Sequence, residues 1–157
     1  MSESVITYRG TIYPWHCDHM GHMNVMWYVG KFDEACWQML SMVGLTRTRF
    51  GVDGSAIAAV EQHIYYEREL YAGNVVSIRS KVLEVRDKSI RIRHELWNDE
   101  AAEIAAVTEM TGVYMDAAVR RARSLPLDVR ERLLCLVSDG SDFDPADMAT
   151  ALIEKTR

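Results

Sequence analysis

The run Trp15-His16-Cys17-Asp18-His19-Met20-Gly21-His22-Met23-Asn24 gathers a carboxylate, three imidazoles, a thiol and a carboxamide. It leads directly into an apolar-periodic segment that begins at Val25 and reads as a helix. The first N–H groups of a helix have no partner within it, so they can polarise a carbonyl oxygen or hold a developing oxyanion. Asp18, six residues ahead of Asn24, could act on that same carbonyl, directly or through water. An acyl-transfer hydrolase requires such a pairing.

Other chemistries compete for the same residues. His16, Cys17, Asp18, His19 and His22 are zinc-type ligands at close spacing, but a second ligand cluster downstream is missing. Cys17 could be a nucleophile, which would need a histidine oriented by a third group that the spacing does not identify. The histidines and Asn24 could also serve only as caps and turns.

The elements that must position this segment follow from periodicity. Val5 to Trp15 reads as a strand with Ile6, Tyr8, Ile12 and Pro14 on one parity. From Val25 the apolar positions Val29, Phe32, Cys36, Leu40 and Val43, widened by Met26, Met39 and Met42, mark a long helix wrapped over much of its circumference. Asn24 is its expected N-cap and Gly44 its stop. Ala56 to Tyr71, Val75 to Val85, Ser89 to Trp97 and Ala102 to Met115 read as strands. The turns between them are Ala72-Gly73-Asn74, Arg86-Asp87-Lys88 and Asn98-Asp99-Glu100. Short connections predict successive antiparallel neighbours, giving an α+β antiparallel sheet curled around one helix. Leu127 to Val137 reads as a terminal helix. The expected organisation is a single domain over 1–137 and an acidic tail over 138–157, where Asp144-Pro145 could start a short helix.

Composition narrows the function classes. At 157 residues the chain accommodates one core. No stretch has the roughly 18 consecutive apolar residues of a membrane span, and MSESVITYRG has no basic and apolar regions of a signal peptide. Cys17, Cys36 and Cys135 are too few and too scattered for a disulfide framework, so a cytoplasmic protein is expected. A net charge of −5 speaks against nucleic acid. Yet 11 of the 18 basic residues fall in 79–93 and 120–132. Such local fields suit a small polyanion such as a nucleotide phosphate, although a solvated strand face and an Arg-rich loop would look the same.

Asp18 to Asn24, followed by Tyr28 and by Phe32-Asp33-Glu34-Ala35, resembles the signature of the 4-hydroxybenzoyl-CoA thioesterase-like branch of hot-dog proteins. The similarity extends to Tyr65-Tyr66, Gly73-Asn74 and Arg86-Asp87-Lys88-Ser89. It implies a hot-dog fold, with about five strands wrapped around one long helix, and hydrolysis of an acyl-CoA thioester. Asp18 falls on the catalytic carboxylate, as nucleophile or general base. The Val25 N–H falls on the donor to the thioester oxygen, and His22 and Asn24 fall on positions that orient water or the carboxylate. Tyr28, Arg86, Lys88 and Ser89 match substrate- and CoA-binding positions. The resemblance implies no metal and no cofactor beyond the CoA of the substrate. It further implies a homodimer or homotetramer, with no nucleic-acid or membrane partner. Three positions depart from the pattern: Asp87 separates two basic residues, Val25 stands where the family repeats Asn, and Asn74 stands where the family usually has Asp. Trp15, Trp27 and Tyr28 flank the motif and could shape the acyl end. Rings of this kind can also hold a quaternary ammonium by cation–π attraction. A non-catalytic acyl-CoA-binding subunit is the alternative from another class, and the Asp–His pair of a hot-dog dehydratase is not evident.

Overall fold

The computed structural model describes residues 4–137. Helix α1 (Val25–Met42) is its axis. Asn24 caps it as expected, its side chain accepting from the Met26 N–H at 3.0 Å. Gly44, at φ +92°, ends it in a left-handed step that a side chain would disfavour. One face of α1, formed by Tyr28, Phe32, Ala35, Cys36, Met39 and Leu40, is buried. Phe32, Met39 and Leu40 are at most 1% exposed, each contributing about 1.5–3 kcal/mol of burial.

The sheet that covers this face contains β1 (Val5–Thr11), β2 (Ser55–Tyr66), β3 (Val75–Val85), β4 (Ser89–Asn98) and β5 (Glu103–Asp116). A short β6 (Arg121–Ala122) pairs with β5. The remaining helices are α2 (Arg47–Asp53), which the periodicity did not reveal, and α3 (Leu127–Leu134). Together these form the α+β hot-dog arrangement. No described helix is long and apolar enough to cross a membrane. The acidic tail and its Asp144-Pro145 helix start lie outside the described residues.

Three expectations are corrected. The strand order is β1-β3-β4-β5-β2, so β2 and β3 are not neighbours. Tight turns do join β3 to β4 and β4 to β5, but the segment 67–74 crosses the end of the sheet, anchored by a fully buried Leu70. The first strand stops at Thr11, and a register shift between Ile6 and Tyr8 breaks its parity. Ile6 is left exposed while Thr7 and Ile12 point inward. Finally, α1 is not wrapped all round within one chain: Val25, Met26, Val29, Trp37 and Met42 are exposed.

A row of polar side chains divides the core. The cluster around Met39, Leu40 and Tyr114 packs on the C-terminal half of α1, and the cluster around Phe32, Leu70 and Leu96 on its N-terminal half. Between them Thr7 Oγ1 and Ser80 Oγ lie 2.6 Å apart, and Ser80 Oγ lies 2.5 Å from His94 Nδ1. Thr108, opposite His94, donates to the His63 carbonyl at 2.9 Å. His94 is fully buried against Phe32, and its Nε2 meets no hydrogen-bond partner among the described residues.

Burial pushes the His94 imidazole down to about 4, against about 6.5 in an unfolded chain. Because the folded value is the lower one, the neutral ring's contribution is complete above about pH 6.5 and is lost as pH falls toward 4. The loss is on the order of 3 kcal/mol. The urea midpoint is therefore expected to fall between about pH 7 and 4.5, and to fall less in His94→Leu. An equally steep decline in that variant would assign the acid sensitivity to other groups.

Candidate active site

The chemistry-bearing segment folds as a miniature hairpin. Cys17 and Met23 form an antiparallel bridge, the Asp18 N–H donates to the His22 carbonyl at 3.2 Å, and the Gly21 N–H donates to the Asp18 carbonyl at 3.0 Å. Gly21 closes the turn at φ +86°, where its missing Cβ relieves the strain. The Met23 N–H donates to the Leu70 carbonyl at 2.7 Å, which fastens the hairpin to the segment between β2 and β3.

Within this frame Asn24 performs two tasks with one side chain. Its Oδ1 caps α1 and its Nδ2 donates to Asp18 Oδ2 at 2.7 Å. The other carboxylate oxygen accepts from the Met20 N–H at 2.8 Å. The Asn24 and Met20 hydrogen bonds, aided by the nearby His22 and His19, hold the Asp18 carboxyl below the usual carboxylate range. Asp18 is thus an anion at neutral pH, tied through Asn24 to the start of α1. At that start, no acceptor among the described residues takes the Val25 N–H.

His22 stands beside Asp18, with Nε2 3.6 Å from Glu69 Oε1 and Nδ1 3.4 Å from the Met23 carbonyl oxygen. Tyr28 lies in the interior. Its hydroxyl donates to the Arg68 carbonyl at 3.2 Å, and its ring meets Tyr66 edge-on at 5.2 Å. Burial pushes its phenol up to about 12.

Asp18, His22, Asn24 and Val25 come together, whereas Arg86, Lys88 and Ser89 lie elsewhere. Arg86 and Lys88 lie in the β3–β4 turn and Ser89 opens β4, next to the cluster that packs on the C-terminal half of α1. Asp18 adjoins the start of α1 and this turn its C-terminal half, along a helix of 18 residues that is roughly 27 Å long in all. Arg86 and Ser89 border a groove of about 500 Å³ with Arg91, Glu61 and Glu109. Asp87, the departure from the family pattern, accepts from the Ser124 hydroxyl at 3.0 Å.

Among the described residues no three His, Cys, Asp or Glu side chains converge as a metal site requires. The Cys17 sulfur faces the Tyr13 carbonyl at 3.8 Å. The His16 Nδ1 accepts from the Tyr13 N–H at 2.9 Å, and its ring meets Trp27 edge-on at 4.6 Å. Beside it Tyr13 and Trp15 stack at 4.3 Å and 8°, with Trp15 65% exposed. On the opposite flank of α1, Asp33, Cys36, Trp37, Ile57 and Met110 line a crevice of about 90 Å³.

Residues 12–133 match the family model described as the Thioesterase-like superfamily. The betainyl-CoA thioesterase of Pseudomonas aeruginosa is 23% identical over 128 residues, covering 82% of this chain and 79% of that protein. The L-carnitine dehydrogenase/betainyl-CoA thioesterase of Agrobacterium fabrum is 26% identical over 109 residues, 69% of this chain but 22% of that longer protein. Among solved structures, a hypothetical protein of Staphylococcus aureus in complex with CoA superposes with a TM-score of 0.84 at 16% identity, covering 94% of this chain and 93% of that one. The 1,4-dihydroxy-2-naphthoyl-CoA thioesterase of Synechocystis gives 0.74 at 18% identity, covering 82% and 95%. These two likenesses are of fold alone. The family match spans most of the chain, and its sheet-wrapped helix is that of the solved relatives: the chain belongs to the Thioesterase-like superfamily and is a thioester hydrolase built on the hot-dog fold.

Proposed function

We propose that this protein hydrolyses an acyl-CoA thioester at Asp18. The observation that carries the reading is the Asn24 side chain, which holds the Asp18 carboxylate and the first turn of α1 in one hydrogen-bonded unit. The thioester oxygen accepts from the Val25 N–H at the positive end of α1, which draws electron density from the carbonyl carbon. Asp18 then either attacks that carbon, forming a mixed anhydride that water cleaves, or removes a proton from the attacking water. Either route breaks the C–S bond, and CoA departs as a thiolate. With a thiol pKa of about 8.5, the leaving group needs no strong general acid.

For the acyl group, the reading is a short quaternary ammonium such as betainyl. Two curated relatives carry that substrate in their names, and the exposed Tyr13–Trp15 stack and Trp27 place aromatic faces beside the motif. The cation of a betainyl group sits two bonds from the carbonyl carbon. The crevice by Asp33 begins eight residues beyond Val25, about 12 Å along the helix, and is out of its reach. A medium-length acyl chain would be needed to enter it.

Arg86, Lys88 and Ser89, too far from Asp18 along their own chain, would meet the CoA phosphates of a partner copy's site. This assignment rests on the family resemblance. The exposed outer edge of β2, from Ala59 to His63, supplies a strand for pairing two sheets side by side as a homodimer or a homotetramer. Three free cysteines suit a reducing cytoplasm.

The test is release of free CoA, followed with a thiol-reactive dye, from betainyl-CoA and from its neutral isostere 3,3-dimethylbutanoyl-CoA. Preference for the cation by about tenfold, the worth of a cation–π contact of 1–2 kcal/mol, is expected. Equal rates would remove the quaternary-ammonium assignment, and a faster medium-chain thioester would move the acyl end into the crevice. Tight binding without CoA release from any thioester would leave a binding subunit instead of an enzyme.

A further inference from the structure

The segment between β2 and β3 brings a second carboxylate to the site, one that the motif does not contain. Glu69 sits one residue before Leu70, whose carbonyl binds the Met23 N–H, so its backbone is fastened to the hairpin that carries Asp18 and His22. Its two carboxylate oxygens have separate tasks. Oε2 accepts from the Tyr71 hydroxyl at 2.5 Å, which fixes the carboxylate plane. Oε1 faces His22 Nε2 at 3.6 Å.

On the other side of the ring, His22 Nδ1 lies 3.4 Å from the Met23 carbonyl oxygen. Both ring nitrogens therefore face oxygen atoms, the Met23 carbonyl within hydrogen-bond distance and the Glu69 carboxylate just beyond it. The remaining charged neighbours do not compete for Glu69. Asp18 is bound to Asn24 and Met20, and Arg68 pairs with Glu103 at 3.6 Å. The Tyr28 hydroxyl is committed to the Arg68 carbonyl.

From this geometry we infer that Glu69 is a positioning residue for the hydrolase: braced by Tyr71, it holds the His22 imidazole in a single orientation beside the Asp18 carboxylate. The inference rests on the reading of Asp18 and His22 as site residues, but it concerns a residue outside the motif. It explains why an exposed glutamate is bonded to a neighbouring tyrosine and faces His22, one of the two histidines near the candidate nucleophile. Its effect on catalysis passes through His22 alone.

Two measurements decide it. The first uses NMR of the histidine rings and needs no turnover. In Glu69→Gln the His22 ring nitrogen shifts are expected to move, while those of His16, His63 and His94 stay in place. An unmoved His22 would overturn the proposal. The second is a double-mutant cycle on CoA release. Glu69→Gln is expected to lower kcat roughly tenfold, with KM and Tm unchanged and with partial recovery in Glu69→Asp. In a His22→Asn background the same substitution should have no further effect. An equal loss of kcat with and without His22 would mean that Glu69 acts independently of the ring and would sink the proposal. If the wild-type chain releases no CoA from any thioester, the proposed activity falls, and the ring shifts still decide whether Glu69 orients His22.

Discussion

Asp18→Asn is expected to lower kcat by about a thousandfold, the scale of a positioned acid–base or nucleophilic carboxylate, with little change in fold. The carboxylate is the only group of the hairpin held as an anion by two donors, Asn24 Nδ2 and the Met20 N–H. The substituted amide keeps the size of the side chain and one acceptor oxygen. Its NH2 group, however, would face the Asn24 NH2. Asn24 must then turn, losing its cap on Met26, or leave one polar contact unmade, at a cost of about 1 kcal/mol. A thermal midpoint lower by a few degrees, together with near-complete loss of CoA release, is the expected pair of results. Near-wild-type turnover in Asp18→Asn would remove the carboxylate from the chemistry. A collapse of the fold would instead reveal that Asp18 serves mainly as a structural acceptor, and Asp18→Ser would then separate the two effects.

Val25→Pro is expected to cost about a hundredfold in kcat, the measured scale for removing one oxyanion donor, without disrupting α1. Val25 is the first residue of the helix, where proline is favoured because its missing N–H has no helical partner to lose. The preceding Asn24 already has φ −70° and ψ 146°, within the extended region that a residue before proline prefers. The side chain of Val25 is 56% exposed, so its replacement removes little packing. This substitution deletes one N–H bond and almost nothing else. Val25→Ala, which retains the N–H, is the matched control and should keep most of the activity. If both variants turn over alike, the thioester oxygen is held by some other donor and the start of α1 plays no direct part in the reaction.

The geometry of the candidate site was legible in the sequence wherever it is local. Asp18, Asn24 and Val25 lie within eight residues. A short loop running into an N-capped helix leaves few ways to arrange them, so spacing and capping preference alone brought the carboxylate to the helix start. The direction of the Asp18 pKa was not legible, because it depends on the Asn24 side chain turning toward Asp18 and on the Met20 N–H folding back. Glu69 was invisible for a different reason: forty-seven residues separate it from His22, and only the crossing of 67–74 over the end of the sheet brings the two together. Tyr28 belongs to the same signature by spacing, yet the helix turns its ring inward onto Tyr66 and its hydroxyl onto a backbone carbonyl.

Taken by itself, the sequence determined the elements and the reactive segment: the helix from its cap at Asn24 to its stop at Gly44, the strands β3 to β5 from their alternation and short turns, and the polar segment bearing Asp18 ahead of the helix. These depend on interactions between residues a few positions apart, which propensity and periodicity record. Tertiary structure alone decided that β2 pairs with β5 and not β3. It also decided that Arg86, Lys88 and Ser89 stand at the opposite end of α1 from Asp18, and that a polar row runs through the core at His94. Each of these depends on which distant surfaces bury one another, a choice made by the whole chain at once and written into no short stretch of it.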